Sequence, residues 1–253
     1  MSPLPQQPKT LGAPRTPTAR FGTIVVHDLV TAIVVGDFQA GELLPSETEL
    51  CDHFGVSRTV IRESIKRLEE KGMVSVAQGR GTVVNEQHDW NILDRVVLTV
   101  MIENDAELGI LDEIATVRAE LESGMASRAA TRRDDDAISA LGAAHAKLEA
   151  TIDDAEAFAA SDVEFHSLVM EIAGDRLSQG IARTLTSRAR DNARFYGAPG
   201  PEAMPDTVEE HKRVLDAITA GDSDTAAREM KEHITRAWER RRIPAESSHR
   251  TGS

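Results

Sequence analysis

Between Phe158 and Ala173 an aspartate and a histidine stand four residues apart, Asp162 and His166, on one stripe with Phe158, Phe165, Val169 and Ala173. Residues so spaced project from one helix face on consecutive turns. A carboxylate and an imidazole in that arrangement serve either as hydrogen-bonded core partners or as two ligands of one metal ion. The pair alone does not choose between them. His211 and His233 sharpen the choice. His211 lies on the stripe Val208, His211, Leu215, Ile218, and His233 on Ala226, Met230, His233, Ala237. Each is eleven residues from Asp222, at the centre of the turn between the two patterns. In an antiparallel helical hairpin, residues equidistant from the turn lie side by side. With Asp162 and His166 from a third helix, the two imidazoles would complete a three-histidine, one-carboxylate metal site. That mixture suits zinc first, with nickel or manganese as alternatives, and geometry would decide among them. An ion preferring six ligands would keep open positions for water or a small carboxylate.

Three further polar residues interrupt apolar stripes. Arg118 falls among Leu111, Ile114, Leu121 and Met125; Arg188 and Asn192 fall among Ile181, Leu185 and Phe195. A buried guanidinium without an anion is costly. An internal salt bridge would satisfy each arginine, and so would the carboxylate of a ligand held beside the metal. His27, His53, His88, His145 and His249 lack a partner at useful spacing and read as surface or cap residues. No spare carboxylate or histidine is evident on the inner stripes to serve as a general base. This weighs against a rival reading, a metal-dependent hydrolase or lyase acting on a carboxylated substrate. A purely structural metal is the other alternative.

The elements that must position these groups are helical. From Trp90 to about Arg242 every pattern has helical period, with helices expected near 90–103, 107–131, 135–150, 154–173, 177–195, 202–220 and 223–241. Short connections imply an antiparallel all-helical bundle over 90–242. Residues 1–20 hold five of the ten prolines without helical period and read as a disordered arm, and 243–253 as a frayed tail.

A second unit is expected over 21–85. Phe21, Ile24, Val25, Leu29, Ala32 and Ile33 make its first helical stripe. Ser46 and Glu49 form a capping box, Ser57 caps the next helix, and Gly55 and Gly72 end two helices. On the helix after Ser57, Val60, Ile61, Ser64, Ile65 and Leu68 face inward, while Arg58, Arg62 and Lys66 form a basic stripe with Thr59 beside it. Strands over 73–77 and 82–84 flank Gln78, Gly79, Arg80 and Gly81. A solvated helical hairpin would also carry a charged face. The capping, the tight turn and the Gly-Arg-Gly tip together point instead to a winged helix-turn-helix on double-stranded DNA.

The net charge of −13 is compatible with that once divided: residues 1–86 hold 9 Lys+Arg against 10 Asp+Glu, and the rest holds 20 against 32. The acidity belongs to the bundle, so DNA specificity would require two copies of the basic stripe, as in a homodimer on a palindromic operator. The lone Cys51 excludes an internal disulfide, and no run approaches a membrane span, so a soluble cytoplasmic protein without membrane attachment is expected.

The segments LPSE, FGVSRTVIRESIKRLEEKG and GRGTVV resemble the winged helix-turn-helix of GntR-type bacterial transcription regulators. That resemblance implies DNA contacts from Ser46, Ser57, Arg58, Thr59, Arg62, Gln78 and Gly79, with Arg80 reaching a phosphate or the minor groove. Thr48 stands where related sequences commonly carry arginine, which puts one contact in question. VRAELESGMASRAA, DVEFH, EEHKRVLDAITAGD and AAREMKEHI resemble the FCD effector domain of the FadR-like branch. In its metal-binding members the matching positions hold the metal, here Asp162, His166, His211 and His233. Asp175 replaces a usual asparagine, and WNILDRVVLTVM looks like the extra helix of the sub-branch acting on sugar-acid operons such as galactonate. With the resemblance, the reading is a metabolite-responsive repressor and not an enzyme, and the inward Arg118, Arg188 and Asn192 would hold the carboxylate of a small effector beside the metal.

Overall fold

A computed structural model of the chain describes residues 17–77, 79–195 and 203–242. The expected arm over 1–20 lies outside them as far as residue 16, and so do the expected tail over 243–253, Gln78 and His249. The chain divides into two compact units, Met1–Val100 and Met101–Ser253.

In the first unit, α1 (Pro17–Val34) packs on α3 (Arg58–Glu70), which also meets α2 (Glu47–Phe54) and β1 (Val74–Ala77). Strand β1 pairs antiparallel with β2 (Gly81–Val84), in the register Val74 to Val84 and Ala77 to Gly81. The α1 stripe is rotated from the one expected. Val25, Val26, Leu29, Val30 and Ile33 are buried, whereas Phe21 and Ile24 are 51% and 47% exposed. The Val-rich pairs 25–26 and 29–30 thus take the core position against Val60, Ile61 and Leu68 of α3.

Caps fix where α2 and α3 begin. The Ser46 hydroxyl accepts from the Glu49 amide at 3.3 Å, and the Glu49 carboxylate accepts from the Ser46 amide at 2.7 Å, completing the capping box. The Ser57 hydroxyl accepts from the Val60 amide. Gly72 ends α3 at φ +71°, and a Cβ there would meet the Asp89 carbonyl oxygen at 2.2 Å. Only glycine fits both the left-handed backbone and that approach.

The second unit is a bundle built around α5 (Gly109–Arg132). It packs against α7 (Ala155–Ala173), α8 (Arg176–Arg190), α9 (Ala203–Ala220) and α10 (Ser223–Arg241), while α6 (Asp135–Ala150) packs against α7 and α9. The remaining helix α4 (Arg95–Asn104) spans the division between the units. The expected helical start at Trp90 is instead a short 3-10 turn, Gln87–Asp89, followed by a cap in which Asp94 accepts from the amides of Val96 and Val97. Residues Ala119, Ala126, Ala129 and Ala130 are buried on α5. Small side chains let neighbouring helices approach closely. They bring α7 and α10 within reach of the polar residues that α5 carries. Phe165, Val169, Val214, Ile218, Met230 and Ile234 close the core around them.

Candidate metal centre and nucleic-acid interface

Asp162 and His166 on α7, His211 on α9 and His233 on α10 converge in the second unit. All four are buried, and one ligand atom from each lies within 4.8 Å of all the others. His166 Nε2 is 3.2 Å from His233 Nε2 and 3.8 Å from Asp162 Oδ1, and His211 Nε2 is 3.5 Å from the same oxygen. The outer nitrogens are all engaged. His166 Nδ1 lies 2.6 Å from Glu122, His233 Nδ1 2.9 Å from Glu210, and His211 Nδ1 2.7 Å from the Thr207 carbonyl oxygen. Those partners are acceptors, so each Nδ1 donates and each Nε2 is turned toward the centre.

Three imidazole Nε2 atoms and a carboxylate oxygen thus face one buried point. His211 Nε2 is buried without any hydrogen-bond partner. These residues fit a metal ion, which supplies the positive charge that the arrangement lacks. Burial pushes the pKa of His211 well down and lowers that of His233, keeping both imidazoles in the neutral, metal-binding form.

A ring of ion pairs surrounds the centre. Arg118 donates to Glu122 at 2.8 Å, Arg190 to Asp162 at 2.7 Å, and Arg240 to both oxygens of Glu210 at 2.8 Å. Burial raises the carboxylate pKa values, but the facing arginines and histidines outweigh it. Glu122 and Glu210 settle at about 2, and Asp162 well below the usual carboxylate range. All three are therefore anions at neutral pH.

Several expectations need correction. Glu122 and Glu210 are carboxylates buried on inner faces, at 1% and 4% exposure, contrary to the expected absence of such groups. They are held by arginine and histidine and thus belong to the support of the site. Arg118 does form an internal pair, with Glu122. Arg188 pairs with Asp191 rather than facing the cluster, and it is Arg190 that reaches Asp162. The cause is the face α8 buries, Ala182, Leu185 and Ala189, with Ile181 left 37% exposed. Asn192 lies in the turn after α8, half-buried, its amide donating to the Ala189 carbonyl. His145 is buried, with Nε2 3.1 Å from the Val208 carbonyl oxygen, rather than a surface residue. Asp175 caps α8 through Ser178 and pairs with Arg128.

In the first unit, Ser57, Arg58, Thr59, Arg62 and Lys66 are exposed along α3 and Ser46 is exposed at the start of α2. Arg62 Nε donates to both carboxylate oxygens of Glu47, at 3.0 and 2.9 Å. An exposed pair of that kind is weak and yields readily to a phosphate. At the hairpin tip the Arg80 amide donates to the Ala77 carbonyl at 3.0 Å, leaving Gly79 and Arg80 exposed. Gln78 lies outside the described residues.

A winged helix-turn-helix joined in one chain to a helical bundle with a buried polar centre defines a class, the DNA-binding transcription regulators. The chain matches the gntR family of bacterial regulatory proteins over residues 23–84 and the FCD domain over residues 113–236. It is 33% identical over 204 residues to the galactonate operon transcriptional repressor of Escherichia coli strain K12, covering 80% of this chain and 88% of that one. It is 29% identical to the HTH-type transcriptional repressor NanR of Salmonella newport strain SL254, over 87% and 85% of the two chains. The solved structure of Lar, which controls expression of the Listeria monocytogenes agr system, superposes with a TM-score of 0.54 at 17% identity, covering 90% of this chain and 98% of that one. The chain belongs to the GntR family of transcription regulators, with a C-terminal FCD domain; it is a regulator and not an enzyme. No helix among the described residues is long and apolar enough to cross a membrane.

Proposed function

We propose that the protein is a homodimeric, metabolite-responsive repressor whose helical unit binds a divalent metal and a small carboxylate, either a sugar acid or another organic acid. The observation that carries the reading is the convergence of three imidazole Nε2 atoms and one carboxylate on a buried point, with every outer histidine nitrogen already engaged. Asp162, His166, His211 and His233 would hold the ion, zinc before nickel or manganese. The ion supplies positive charge to which an acid is drawn.

The chain's own residues supply the rest. The three arginine–carboxylate pairs around the centre cancel in charge, so a bound divalent ion leaves a positive excess that favours an anion. Arg118, Arg190 and Arg241 line the cleft beside His166 and Asp162, where a ligand carboxylate would be drawn. In a dimer, two copies of α3 would enter successive major grooves of a palindrome, with Arg58, Thr59 and Arg62 at the bases and the Gly79–Arg80 tip along the backbone. The relatives named as the galactonate operon transcriptional repressor and the transcriptional repressor NanR support the repressor reading. A purely structural metal is the second reading, favoured by the buried position of all four residues.

Elemental analysis of purified wild type, His211→Ala and His233→Ala tests the metal. Both variants should lose the ion, and full occupancy in both would refute the site. Operator binding by Arg58→Ala tests the interface: complex formation should disappear while the thermal transition stays. An operator affinity that ignores every acid tested would favour the structural-metal reading.

A further inference from the structure

Two chambers meet at Asp162. One, of about 280 Å³, is lined by Arg118, Arg183, Arg190, Ser167, Thr186 and Asp191 among others. Each of its guanidinium groups is taken by a carboxylate of the chain: Arg118 by Glu122, Arg183 by Glu171 and Arg190 by Asp162. Asp191 on its wall is likewise paired, with Arg188.

The other chamber, of about 250 Å³, differs in charge and in the side chains that line it. Its wall carries Arg241 in addition to Arg190 and Arg240. Among the described residues no carboxylate lies within 4.0 Å of Arg241, whose guanidinium sits over the Phe195 ring at 5.4 Å. Arg190 pairs with Asp162 through a terminal amine, while its Nε is buried without a partner. The terminal nitrogens of Arg190 are engaged by Asp162 and the Ala159 carbonyl, so Arg241 is the cation this side offers to an anion.

The rest of the described wall is apolar, chiefly Phe158, Phe195, Met204 and alanines. Phe195 is held by stacking on Trp238, with centroids 6.0 Å apart. The one uncharged polar side chain is Thr207, whose hydroxyl already donates to the Ala203 carbonyl and accepts from Arg240. Among the described side chains of this wall the hydroxyl groups of a hydroxylated chain would find few partners, which is expensive in a buried site. An apolar body would meet aromatic and aliphatic surface instead.

We infer that the effector is a monocarboxylate with an apolar body, aliphatic or aromatic, its carboxylate on Arg241 and its body against Phe158, Phe195 and Met204, and not a polyhydroxylated sugar acid. The inference rests on the reading of the bundle as a carboxylate receptor. An apolar cavity of about 150 Å³ accepts benzene, so this chamber takes a body of roughly ten heavy atoms.

Calorimetric titration of the metal-loaded full-length protein with phenylacetate, 4-methylpentanoate, galactonate and gluconate tests it. The apolar acids should bind at least about tenfold more tightly than either sugar acid. Arg241→Gln should weaken them about tenfold or more with metal content unchanged, and Met204→Asn should narrow the preference without changing the thermal transition. Tighter binding of a sugar acid overturns the inference and leaves the receptor reading standing. Unaltered affinity in both variants overturns the placement of the ligand. If no acid of either kind binds, the receptor reading fails and the inference falls with it.

Discussion

At the scale of single residues, the site depends on groups that do not themselves touch the metal position. Glu122 accepts from His166 and Glu210 from His233, and each is in turn held by an arginine. Such partners orient an imidazole and raise its basicity, and their loss commonly reduces metal affinity about 10- to 100-fold. Glu122→Gln should therefore weaken metal binding by that factor in a chelator-competition titration while leaving stoichiometry at saturation unchanged. Wild-type affinity in this variant would remove Glu122 from the support of the site. The convergence of His211 and His233 was legible in sequence because the turn at Asp222 makes them equidistant from it, and Asp162 and His166 share one helix face. Their supports were not, since a glutamate on a helix ordinarily reads as a solvated charge. One signal was present: Arg118 and Glu122 are four apart on a face that also carries Leu111 and Ile114, so a buried i,i+4 pair was available to be read.

At the scale of elements, helix ends fix what the functional faces present. Helix α3 begins at the Ser57 cap and ends where Gly72 passes against the Asp89 carbonyl. Gly72→Ala adds a methyl group at 2.2 Å from a backbone oxygen and at a positive φ. A penalty of about 1–3 kcal/mol is expected for such backbone strain alone. Thermal unfolding should show the DNA-binding unit melting earlier, with operator affinity weakened; an unchanged transition would mean the turn relaxes at no cost. Capping residues and glycines announced these boundaries in sequence, and the breaks at Gly174 and Gly221 in the bundle were equally readable. The facing of α1 and α8 was not. Both helices offer two apolar stripes, and packing chose the one with small or β-branched residues, Val25–Val26 on α1 and Ala182–Ala189 on α8. That choice turned Arg188 away and Arg190 inward.

At the scale of the whole molecule, the buried centre links stability to pH. His211 and His233 have pKa values lowered by burial, so below the ordinary histidine value of 6.5 the unfolded chain takes up protons that the folded chain refuses. Stability of the metal-free protein must then fall as the pH drops through that value. Glu122 and Glu210 act with the same sign further down. Their stabilisation is complete above 4.5 and is lost between there and about 2. Thermal transitions of chelator-treated protein should decline from pH 7.5 to 5.5 and more steeply below 4.5. A flat response over the first interval would contradict the neutral state assigned to those imidazoles. Metal binding needs the same neutral form, so metal should raise the transition at pH 7.5 and progressively less on acidification.

The central claim is that the polar centre of the bundle controls the grip of the first unit on DNA. A ligand shifts such an equilibrium only by its differential affinity for the two states. Operator affinity should therefore be measured while a binding acid is titrated into metal-loaded wild type, chelator-treated wild type and His211→Ala. We expect the acid to change operator affinity about tenfold or more in the first sample and negligibly in the other two. An identical response in all three, or none in the metal-loaded protein, would contradict the account.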